Sequence, residues 1–395
     1  MVVIRRLKNI YHLLRAILAV VCWRWPGQQV FVIGVTGTDG KTTTVHLIDY
    51  LLRSAGKKTA MISTVSAPGF HVTTPDSWQL QCFLRQAVKE GKKYVILEAT
   101  SHGLDQFRLW GCHFQMGVLT NVTHEHLDYH RTWEEYLRAK ARLFQGVKYA
   151  ILNKDDDSYE KLKTKITFRR NPAKRAKQKI ISYAIKNRAD VTSKNFPFQT
   201  KLPGEYNQYN CLAAIAAGKM LGISDKKIRQ AVASFPGVKG RLEEVKAGQS
   251  FRVVVDFAHT ANAFQQVLAT VRAMTQGKLI HVFGCTGDRD KTKRPLMGEI
   301  SARWADKIVL THEDTYSEDI NQIIDQIEPG VKKGGKRLGR DYWRVNSRRE
   351  AIKKALQMAD KNDTILITGV GHQTSLNIDG KEVSWSDQKV VKEFL

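Results

Sequence analysis

One glycine-rich run contains the residue types that bind phosphate. The run Gly37-Thr38-Asp39-Gly40-Lys41-Thr42-Thr43 combines glycines with a lysine and threonines. Glycines let backbone N–H groups close around phosphate oxygens, and a following helix N-terminus adds positive potential. Lys41 would reach the β- and γ-phosphates, and the Thr42 hydroxyl would bind Mg²⁺. The run therefore predicts a loop that binds ATP and hydrolyses or transfers its γ-phosphate.

The residues on either side of this loop predict the elements that hold it. Residues 30–33 are apolar and β-branched, which is typical of a buried parallel strand. We expect a turn containing Gly34, Gly37 and Gly40 to follow. Beyond it, apolar residues recur at helical spacing over residues 45–52, and Gly56 ends the predicted helix.

Polar residues also follow other predicted strands. Glu98 comes directly after the apolar run 94–97, and His126 lies in the loop after the run 116–119. Because α/β sheets bind ligands at the carboxyl ends of their strands, these side chains are candidates for the same site. Thr42, Glu98 and His126 are suitable Mg²⁺ ligands near phosphates, although histidine is the least usual of the three.

The last part of the chain predicts a second α/β domain. Apolar runs at 252–255, 279–283, 307–310 and 364–367 alternate with helical patterns, and polar loops follow each of them. We expect three parts: a helical segment over 1–29, an ATP-binding domain with a parallel sheet over 30–238, and a Rossmann-like domain over 239–395.

Composition limits the class of protein and its partners. A formal net charge of +25 is compatible with nucleic acid, an anionic membrane surface or polyanionic substrates. The basic stretch 161–179 has few aromatic residues, so it is interpreted as a solvated connection and nucleic acid is disfavoured. The 5 cysteines are scattered without a Cys-x-x-Cys pair, which argues against disulfides and zinc and favours the cytoplasm.

The N-terminal segment 1–29 predicts a basic amphipathic helix. Apolar residues at helical spacing follow Arg5, Arg6 and Lys8, whereas Arg15 interrupts the apolar core that a secretory signal needs. The segment is too short and too charged to cross a bilayer. Two interpretations stay open: the helix lies on the anionic inner membrane face, or it packs on the first domain.

Many ordered motifs together resemble one enzyme family. The chain resembles the Mur ligases, ADP-forming enzymes that add amino acids to the peptidoglycan stem, and among them the branch that adds the third residue. The motifs that carry the resemblance are Gly37-Thr38-Asp39-Gly40-Lys41-Thr42-Thr43, Thr73-Thr74-Pro75, Ser101-His102-Gly103-Leu104, Thr120-Asn121, His126-Leu127-Asp128-Tyr129-His130, Ala139-Lys140-Ala141-Arg142-Leu143-Phe144, Tyr209-Asn210, Asp256, Ala258-His259, Gly287-Asp288-Arg289-Asp290-Lys291 and Lys293-Arg294-Pro295-Leu296-Met297-Gly298.

The resemblance implies a two-step reaction and a site for it. The carboxylate of a UDP-N-acetylmuramoyl-peptide-like acceptor attacks the γ-phosphate, and the amine of an amino acid then displaces phosphate from the acyl phosphate. Lys140 matches a lysine that is carbamylated in this family and then ligates Mg²⁺ together with Thr42, Glu98 and His126. The catalytic set implied is Lys41, Glu98, His126 and Lys140.

The resemblance also implies residues that bind each substrate. The ATP site would comprise Gly37, Thr38, Asp39, Gly40, Lys41, Thr42 and Thr43, with Asn207 and Asn210 on the adenine side and Asp256 on the ribose side. The acceptor would contact Thr73, Thr74, Thr100, Gln106 and Arg108. Arg289 would clamp the carboxylate of the amino acid, with Glu313, Asp314, Gly369 and Gln373 nearby.

Three departures from the family pattern set further expectations. Fewer than thirty residues precede the predicted strand that leads into the ATP loop, where typical members have a uridine-binding domain, so we expect a different mode of uridine recognition. The Asp-Asn-Pro-Arg loop of diaminopimelate-adding members is Glu313-Asp314-Thr315-Tyr316, and their Gly-Lys-Gly-His-Glu pattern ends in Gln373. Alternatives are a poly-γ-glutamate or pseudomurein-type ligase and, from another class, a nucleic-acid-stimulated P-loop ATPase.

Overall fold

The chain forms two compact units. The computed structural model describes residues 2–66, 73–123, 125, 127–168 and 178–395. Unit 1 spans Met1–Pro236 and unit 2 spans Gly237–Leu395. In the part of the chain that is described, no helix is both long and apolar enough to cross a membrane.

Unit 1 alternates strands with helices around one parallel sheet. Its elements are α1 (Val2–Cys22), β1 (Phe31–Thr36), α2 (Lys41–Ser54), β2 (Thr59–Ile62), α3 (Ser77–Lys89), β3 (Tyr94–Glu98), α4 (Ser101–Asp105), β4 (Phe114–Leu119), α5 (Leu127–His130), α6 (Trp133–Ala141), β5 (Tyr149–Asn153), α7 (Tyr159–Phe168), β6 (Lys179–Tyr183), α8 (Glu205–Met220) and α9 (Asp225–Ser234). The strand order is β2-β3-β1-β4-β5-β6, with every pair parallel. Strand β1 is therefore central, and the loop after it lies where the strand order reverses, the usual ligand position in such sheets.

The first strand is longer than its sequence predicts. Gly34 was expected in the turn, but it lies inside β1. A Cβ atom there would collide with Leu143 and would lie 2.8 Å from the Phe114 ring. The glycine is therefore needed for close packing of side chains on the strand rather than for a turn.

The basic stretch 161–179 is only partly a connection. Its first residues belong to α7, in which Leu162 and Ile166 are buried in the core of unit 1. Its last residue begins β6, which pairs with β5. The prediction of a solvated connection is thus wrong for both ends, because apolar residues between the lysines anchor them; residues 169–177 lie outside the described residues.

Helix α1 packs on unit 1 through its smallest side chains. Ala16, Ala19 and Val20 are fully buried, and α1 lies against α3. The packing interpretation of this segment is therefore confirmed. The larger apolar side chains of α1 lie on its solvent-exposed face: Ile10, Leu14, Leu18 and Val21 are 54–61% exposed.

Unit 2 is a second doubly wound sheet. Its elements are β7 (Glu243–Glu244), β8 (Arg252–Val255), α10 (Ala261–Met274), β9 (Leu279–Phe283), α11 (Lys293–Trp304), β10 (Lys307–Leu310), α12 (Ile320–Lys333), β11 (Tyr342–Arg344), α13 (Arg348–Gln357), β12 (Thr364–Ile367), β13 (Ser375–Ile378), β14 (Lys381–Ser384) and α14 (Asp387–Phe394). The strand order is β11-β10-β9-β12-β8-β7, parallel except for β7, and β13 and β14 form a separate antiparallel hairpin. The predicted α/β class with a Rossmann-like second part is confirmed. The short strands β7 and β11 and the hairpin were not foreseen.

Side-chain caps fix where several helices begin. The Asp76 carboxylate accepts from the N–H groups of Trp78 and Gln79 at the start of α3. Thr132 caps α6 in the same way, and Ser347 caps α13. Because these caps satisfy N–H groups that have no partner in the helix, they stabilise each helix by about 1 kcal/mol.

Candidate functional site

The glycine-rich loop joins β1 to α2 and brings two lysines to one carbonyl. Lys41 Nζ donates to the carbonyl oxygens of Gly37 at 3.1 Å and Thr38 at 2.6 Å. Lys140 Nζ, from α6, donates to the same Gly37 oxygen at 2.7 Å. The loop is thus folded around lysine side chains from two different elements, of which the Lys41 ammonium supplies positive charge suited to a polyphosphate.

Lys140 has an environment that disfavours its charged form. The residue is 1% exposed, and its Nζ lies 4.3 Å from the centre of the Tyr136 ring. Burial, reinforced by the positive charge of Lys41, holds the pKa of Lys140 well below its ordinary value. The lowered pKa favours the neutral amine, which is the nucleophilic form of a lysine.

The end of β4 clamps the loop from one side. Thr120 Oγ1 donates to the Asp39 carbonyl at 2.6 Å, and the Asn121 side chain accepts from the Asp39 N–H at 2.9 Å. A side chain at Gly37 would collide with Thr120. Thr120 and Asn121 belong to the family motif, but neither was assigned a role in the site from the sequence.

Helix α8 supports the loop from beneath. Gly40 has a φ of +81°, and a Cβ atom there would collide with the side-chain oxygen of Asn210. That oxygen accepts from Thr44 Oγ1 at 3.3 Å, while the Asn210 Nδ2 donates to Asn207 Oδ1 at 3.1 Å. Asn207 and Asn210 are 5% and 4% exposed. These bonds give both side chains a structural place under the loop, and their contact with adenine stays a prediction.

Glu98, the last residue of β3, is a buried carboxylate one strand away from the loop. It is 1% exposed, accepts from Thr64 Oγ1 at 2.8 Å and accepts from the Thr64 N–H at 3.3 Å. Thr42, the other predicted metal ligand, is buried in the first turn of α2. His126 lies outside the described residues, among which no three His, Cys, Asp or Glu side chains cluster as a metal site. Thr64 was missed, although it follows β2 at the same sheet edge.

The predicted acceptor threonines lie at this edge too. Thr74 Oγ1 donates to the carbonyl of Glu98 at 3.0 Å and lies 2.9 Å from Thr100 Oγ1, which caps α4. Thr73 Oγ1 lies 3.1 Å from the Thr64 hydroxyl. The structure therefore brings Thr73, Thr74 and Thr100 together with Glu98.

Gln106 and Arg108 extend the same edge beyond α4. Arg108 donates from its guanidinium to the Thr74 carbonyl at 3.1 Å. Gln106 Nε2 donates to Tyr129 Oη at 3.3 Å, and Tyr129 Oη donates to Asp105 at 3.0 Å. All five acceptor residues predicted from the sequence are thus neighbours in unit 1.

In unit 2, two predicted carboxylates lie directly after strands. Asp256 follows β8, and its two oxygens accept from the N–H groups of Ala258 and Leu242, both at 2.7 Å. Glu313 follows β10 and accepts from Thr286 Oγ1 at 2.7 Å. A side chain at Gly369, whose φ is +104°, would collide with Glu313. Burial raises the pKa of Glu313 to about 7.

Asp314 and Gln373 are partners. Gln373 Nε2 lies 3.4 Å from Asp314 Oδ2, a long bond, and the other Asp314 oxygen accepts from the Asn377 N–H at 2.8 Å. Asp314 itself is half-buried. The guanidinium of Arg289 lies 5.8 Å from the centre of the Tyr316 ring. Unit 2 therefore offers a cation and a carboxylate beside its β10 loop.

Comparison with known proteins identifies the family. Residues 35–218 match the Mur ligase middle domain, and residues 240–371 match the Mur ligase glutamate ligase domain. A UDP-N-acetylmuramoyl-L-alanyl-D-glutamate–2,6-diaminopimelate ligase from Geobacillus thermodenitrificans is 38% identical, over 95% of this chain and 81% of the relative. The chain belongs to the Mur ligase family. The Geobacillus relative, like the other relatives named as 2,6-diaminopimelate ligases, is an ADP-forming ligase that makes a carbon–nitrogen bond.

Solved structures place this Mur ligase in the same fold. A 2,6-diaminopimelate ligase structure of the same name is 34% identical with a TM-score of 0.62, covering 92% of this chain and 78% of the other. A pseudomurein peptide ligase type C from Methanothermus fervidus has a TM-score of 0.63 at 20% identity, covering 86% and 76%. At that identity the second similarity shows the fold alone.

A buried ion pair holds the predicted loops of this Mur ligase in unit 2. Arg348 and Asp387 are fully buried and share two bonds of 2.8 Å. Arg348 also donates to the carbonyls of His312 and Thr368, which precede Glu313 and Gly369. The pair was missed because nothing in the spacing of residues 348 and 387 connects them.

Proposed function

We propose that this chain is an ATP-dependent amide ligase that joins an amino acid to the carboxylate of a UDP-N-acetylmuramoyl-peptide acceptor, in peptidoglycan precursor synthesis. The observation that carries the proposal is the convergence of Lys41 and Lys140 on the Gly37 carbonyl. Glu98 and the acceptor threonines lie at the same edge of the same sheet. An ATP loop and an acceptor site therefore share one surface of unit 1.

The residues of unit 1 suit the first step, in which the acceptor carboxylate attacks the γ-phosphate. Lys41 neutralises charge on the transferred phosphoryl group, and the backbone of the loop orients it. Thr74, Thr100 and Arg108 hold the acceptor. The amine of the amino acid then attacks the acyl carbon, the carbon–nitrogen bond forms, and phosphate leaves. Positioning and charge neutralisation supply most of the rate.

The donor set fits Mg²⁺ only if Lys140 is modified. Glu98 supplies a carboxylate and Thr42 a hydroxyl, which are ligands that Mg²⁺ accepts. An ammonium at Lys140 would repel the ion, whereas a carbamate would supply a second carboxylate-like ligand. The burial of Lys140 favours the neutral amine, which attacks CO₂ and releases a proton as the N–C bond forms. We therefore assign Mg²⁺ to Thr42, Glu98, carbamylated Lys140 and His126, and bound Mg²⁺ would neutralise the phosphates of ATP.

The function is tested with the purified full chain. ATP and UDP-N-acetylmuramoyl-L-alanyl-D-glutamate are mixed with a panel of amino acids, and phosphate release and product mass are measured. We expect phosphate release that depends on both substrates and a product mass that equals their sum less water. ATP hydrolysis that is stimulated by DNA or RNA and is indifferent to the acceptor would contradict the proposal.

The alternative within the family is another acceptor. A poly-γ-glutamate or pseudomurein-type ligase would use the same unit 1 chemistry, and the shared fold with a pseudomurein peptide ligase makes it the natural comparison. The same assay separates these functions when glutamyl peptides without UDP are included. Faster ligation of the UDP-free acceptors would favour the alternative.

The amino-acid side of the reaction rests on unit 2. Arg289 is the proposed partner of the α-carboxylate, since a guanidinium binds a carboxylate through two bonds. Asp314 and Glu318 are the two half-buried carboxylates of the loop after β10, and Glu318 already pairs with Lys291 and Arg294 at 2.8 and 2.7 Å. Asp314 is half-buried, and within the described part of the chain one of its oxygens has only the long bond to Gln373. We therefore propose Asp314 as the ligand of a distal ammonium.

We expect weakened preference for diaminopimelate, because Tyr316 carries no positive charge for its distal carboxylate and Gln373 carries no negative charge for its distal ammonium. In competition at equal concentrations, lysine or ornithine should be incorporated at rates comparable with diaminopimelate. Asp314→Asn should lower kcat/KM for lysine roughly tenfold through the lost charge-assisted bond, while alanine changes little. Asp319→Asn, which keeps the cap of α12 and removes one exposed charge, is the matched control. Exclusive use of diaminopimelate would show that other residues compensate.

A second proposed property is peripheral contact with the inner membrane face. The outer face of α1 carries a stripe of exposed apolar side chains, and Trp25 at its end is 41% exposed. Lys8 and Arg24 are exposed near the two ends of the helix. Apolar side chains flanked by basic ones suit the headgroup region of an anionic bilayer. This location places a cytoplasmic enzyme beside the membrane without crossing it.

The membrane contact is tested by substitution rather than by deleting residues 1–26, because deletion would remove the buried Ala16, Ala19 and Val20. Leu14→Ser with Leu18→Ser should abolish co-sedimentation with anionic vesicles and leave ligase activity intact. The control is Leu338→Ser, which changes a side chain 59% exposed on unit 2. Wild-type binding should weaken as salt rises. Equal sedimentation of the wild type, the double variant and Leu338→Ser would refute the membrane contact. A wild-type dimer that the double variant no longer forms would refute it too, because the apolar face would then bind a second copy of the chain.

A further inference from the structure

A small polar cavity lies where α1 meets the acceptor edge of unit 1. Its volume is about 230 Å³, and its lining residues come from α1, the start of α3 and the turn after α4: His12, Arg15, Asp76, Ser77, Gln79, Gln106 and Arg108. Gln106 and Arg108 belong to the proposed acceptor site. His12 and Arg15 belong to neither the ATP loop nor any motif used so far. The cavity therefore continues the acceptor site onto a new element.

Positive charge predominates in this cavity. Arg15 and Arg108 are cations, and Asp76 is the one carboxylate in the lining. Burial and then the charges of Arg108, Arg15 and Lys8 lower the pKa of His12. The cations among these causes also attract an anion, whereas burial does not.

Both carboxylate oxygens of Asp76 already have partners within the protein. One oxygen caps α3, and the other lies 3.5 Å from Arg15. The side chains of Arg15 and Asp76 are 42% and 35% exposed, so the pair is solvated and worth little by itself. Asp76 thus holds Arg15 at the mouth of the cavity and leaves its other N–H groups for a ligand.

Helix α1 is held firmly enough to present these residues. Val20 packs against Gly111, where a Cβ atom would collide with it. Trp23 packs edge-on against Trp78 with ring centres 6.2 Å apart, and Asn9 donates to Asp105 at 3.5 Å. His12 and Arg15 therefore have fixed places above Gln106 and Arg108, as a binding site needs.

We propose that this cavity binds the diphosphate of the acceptor, with Arg15 and His12 of α1 acting together with Arg108. The inference rests on the proposed function, which supplies an acceptor linked to a nucleoside diphosphate. Two guanidinium groups in the lining of one cavity suit two adjacent phosphates, each of which accepts paired N–H donors. Gln106 Oε1 is buried in the lining and has no hydrogen-bond partner among the described residues, so one acceptor there is available to a donor of the ligand.

The cavity is large enough for the diphosphate part of the acceptor but too small for the whole acceptor. Pockets that enclose a whole drug-sized molecule measure about 300–1,000 Å³. At about 230 Å³ this cavity suits the diphosphate and leaves the sugar and the nucleoside outside it. The cavity would therefore recognise the acceptor through its phosphates. Of the two arginines in the lining, α1 contributes Arg15.

The test measures binding of UDP and of inorganic pyrophosphate to the full chain by calorimetry, with saturating ADP so that the ATP loop is occupied. Arg15→Gln should weaken both ligands about tenfold, because one charge-assisted contact is lost. Lys89→Gln removes one exposed positive charge from the far end of α3 and should change neither affinity by more than about twofold. Unfolding midpoints of both variants should equal that of the wild type.

A second variant tests whether the cavity binds an anion or a cation. Asp76→Asn keeps the cap of α3 and removes the carboxylate, so UDP should bind at least as tightly as to the wild type. Weaker binding to Asp76→Asn would mean that the cavity takes a cation and would overturn the proposal. Unchanged affinity in Arg15→Gln would overturn it as well.

Kinetics separate this proposal from the proposed function. Arg15→Gln should raise KM for the UDP-linked acceptor about tenfold with kcat little changed, since Arg15 lines the acceptor cavity and is not part of the ATP loop. If the wild type ligates acceptors without UDP as well as those with it, and Arg15→Gln affects neither, the ligase function stands and the diphosphate site falls. If the wild type ligates nothing, the proposed function falls while UDP binding still tests the cavity.

Discussion

Lys140→Ala is expected to lower the rate of phosphate release by about 10²–10³-fold at saturating substrates, the scale of losing one electrostatic group in an active site. The variant removes the side chain on which we propose the carbamate, together with its hydrogen bond to the Gly37 carbonyl. A short carboxylate such as acetate can enter the space left by the side chain and should restore part of the rate. High bicarbonate should restore nothing, because alanine has no amine.

Lys41→Ala is the matched control for this experiment. Both lysines donate to Gly37, so both variants lose one hydrogen bond to the same carbonyl. The group lost at Lys41 is a cation, and acetate should not rescue it. Equal rescue of the two variants, or wild-type turnover in Lys140→Ala, would refute the carbamate.

The carbamate also has a readout that does not depend on turnover. With ¹³C-labelled bicarbonate, the wild type should show a carbamate carbon signal that Lys140→Ala lacks. Burial holds the pKa of Lys140 below that of an ordinary lysine, so the neutral amine persists to lower pH than on an exposed lysine. The signal should disappear as the pH falls through that lowered pKa, because the protonated amine cannot hold CO₂.

Arg348→Ala is expected to destabilise unit 2 by about 3–5 kcal/mol, the usual cost of leaving one partner of a buried ion pair behind. Arg348 and Asp387 are both 0% exposed, so Asp387 would remain charged and unsolvated. In a unit of this size, that loss corresponds to a fall of roughly 10 °C in the midpoint of its unfolding transition. Scanning calorimetry measures the shift.

The neighbouring residue provides the control. Arg349 pairs with Glu393 at 2.6 Å, but these side chains are 46% and 51% exposed. Arg349→Ala should therefore cost less than about 1 kcal/mol. Replacing Arg348 and Asp387 together by Met and Leu should cost less than Arg348→Ala alone, since no buried charge is left unpaired. Equal shifts for Arg348→Ala and Arg349→Ala would show that burial of the pair contributes nothing.

Arg348→Ala should also lower ligase activity. Its guanidinium donates to the carbonyls of His312 and Thr368, which fix the loops that carry Glu313 and Gly369. Without these bonds the two loops are free to separate, and the amino-acid side of the reaction loses its geometry. This effect should appear as a higher KM for the amino acid at temperatures where the variant is still folded.

The amino-acid sequence by itself determined the alternation of strands and helices, the ATP loop and the family. The reason is that these features are read from short stretches of sequence: glycines, a lysine and a threonine in one run, between a strand pattern and a helix pattern, predict a phosphate loop. The four main strands of unit 2 were predicted in the same way, because each is a short apolar run that is typical of a buried parallel strand.

The tertiary structure alone decided which residues meet across large separations in the chain. It put Gly34 inside β1, because Leu143 and Phe114 pack over it, and it put Asn210 under Gly40. It buried the small face of α1 and left the large apolar face exposed, the reverse of what hydrophobicity alone predicts. Side-chain size and the shape of the partner surface decide such contacts, and neither is encoded in local spacing.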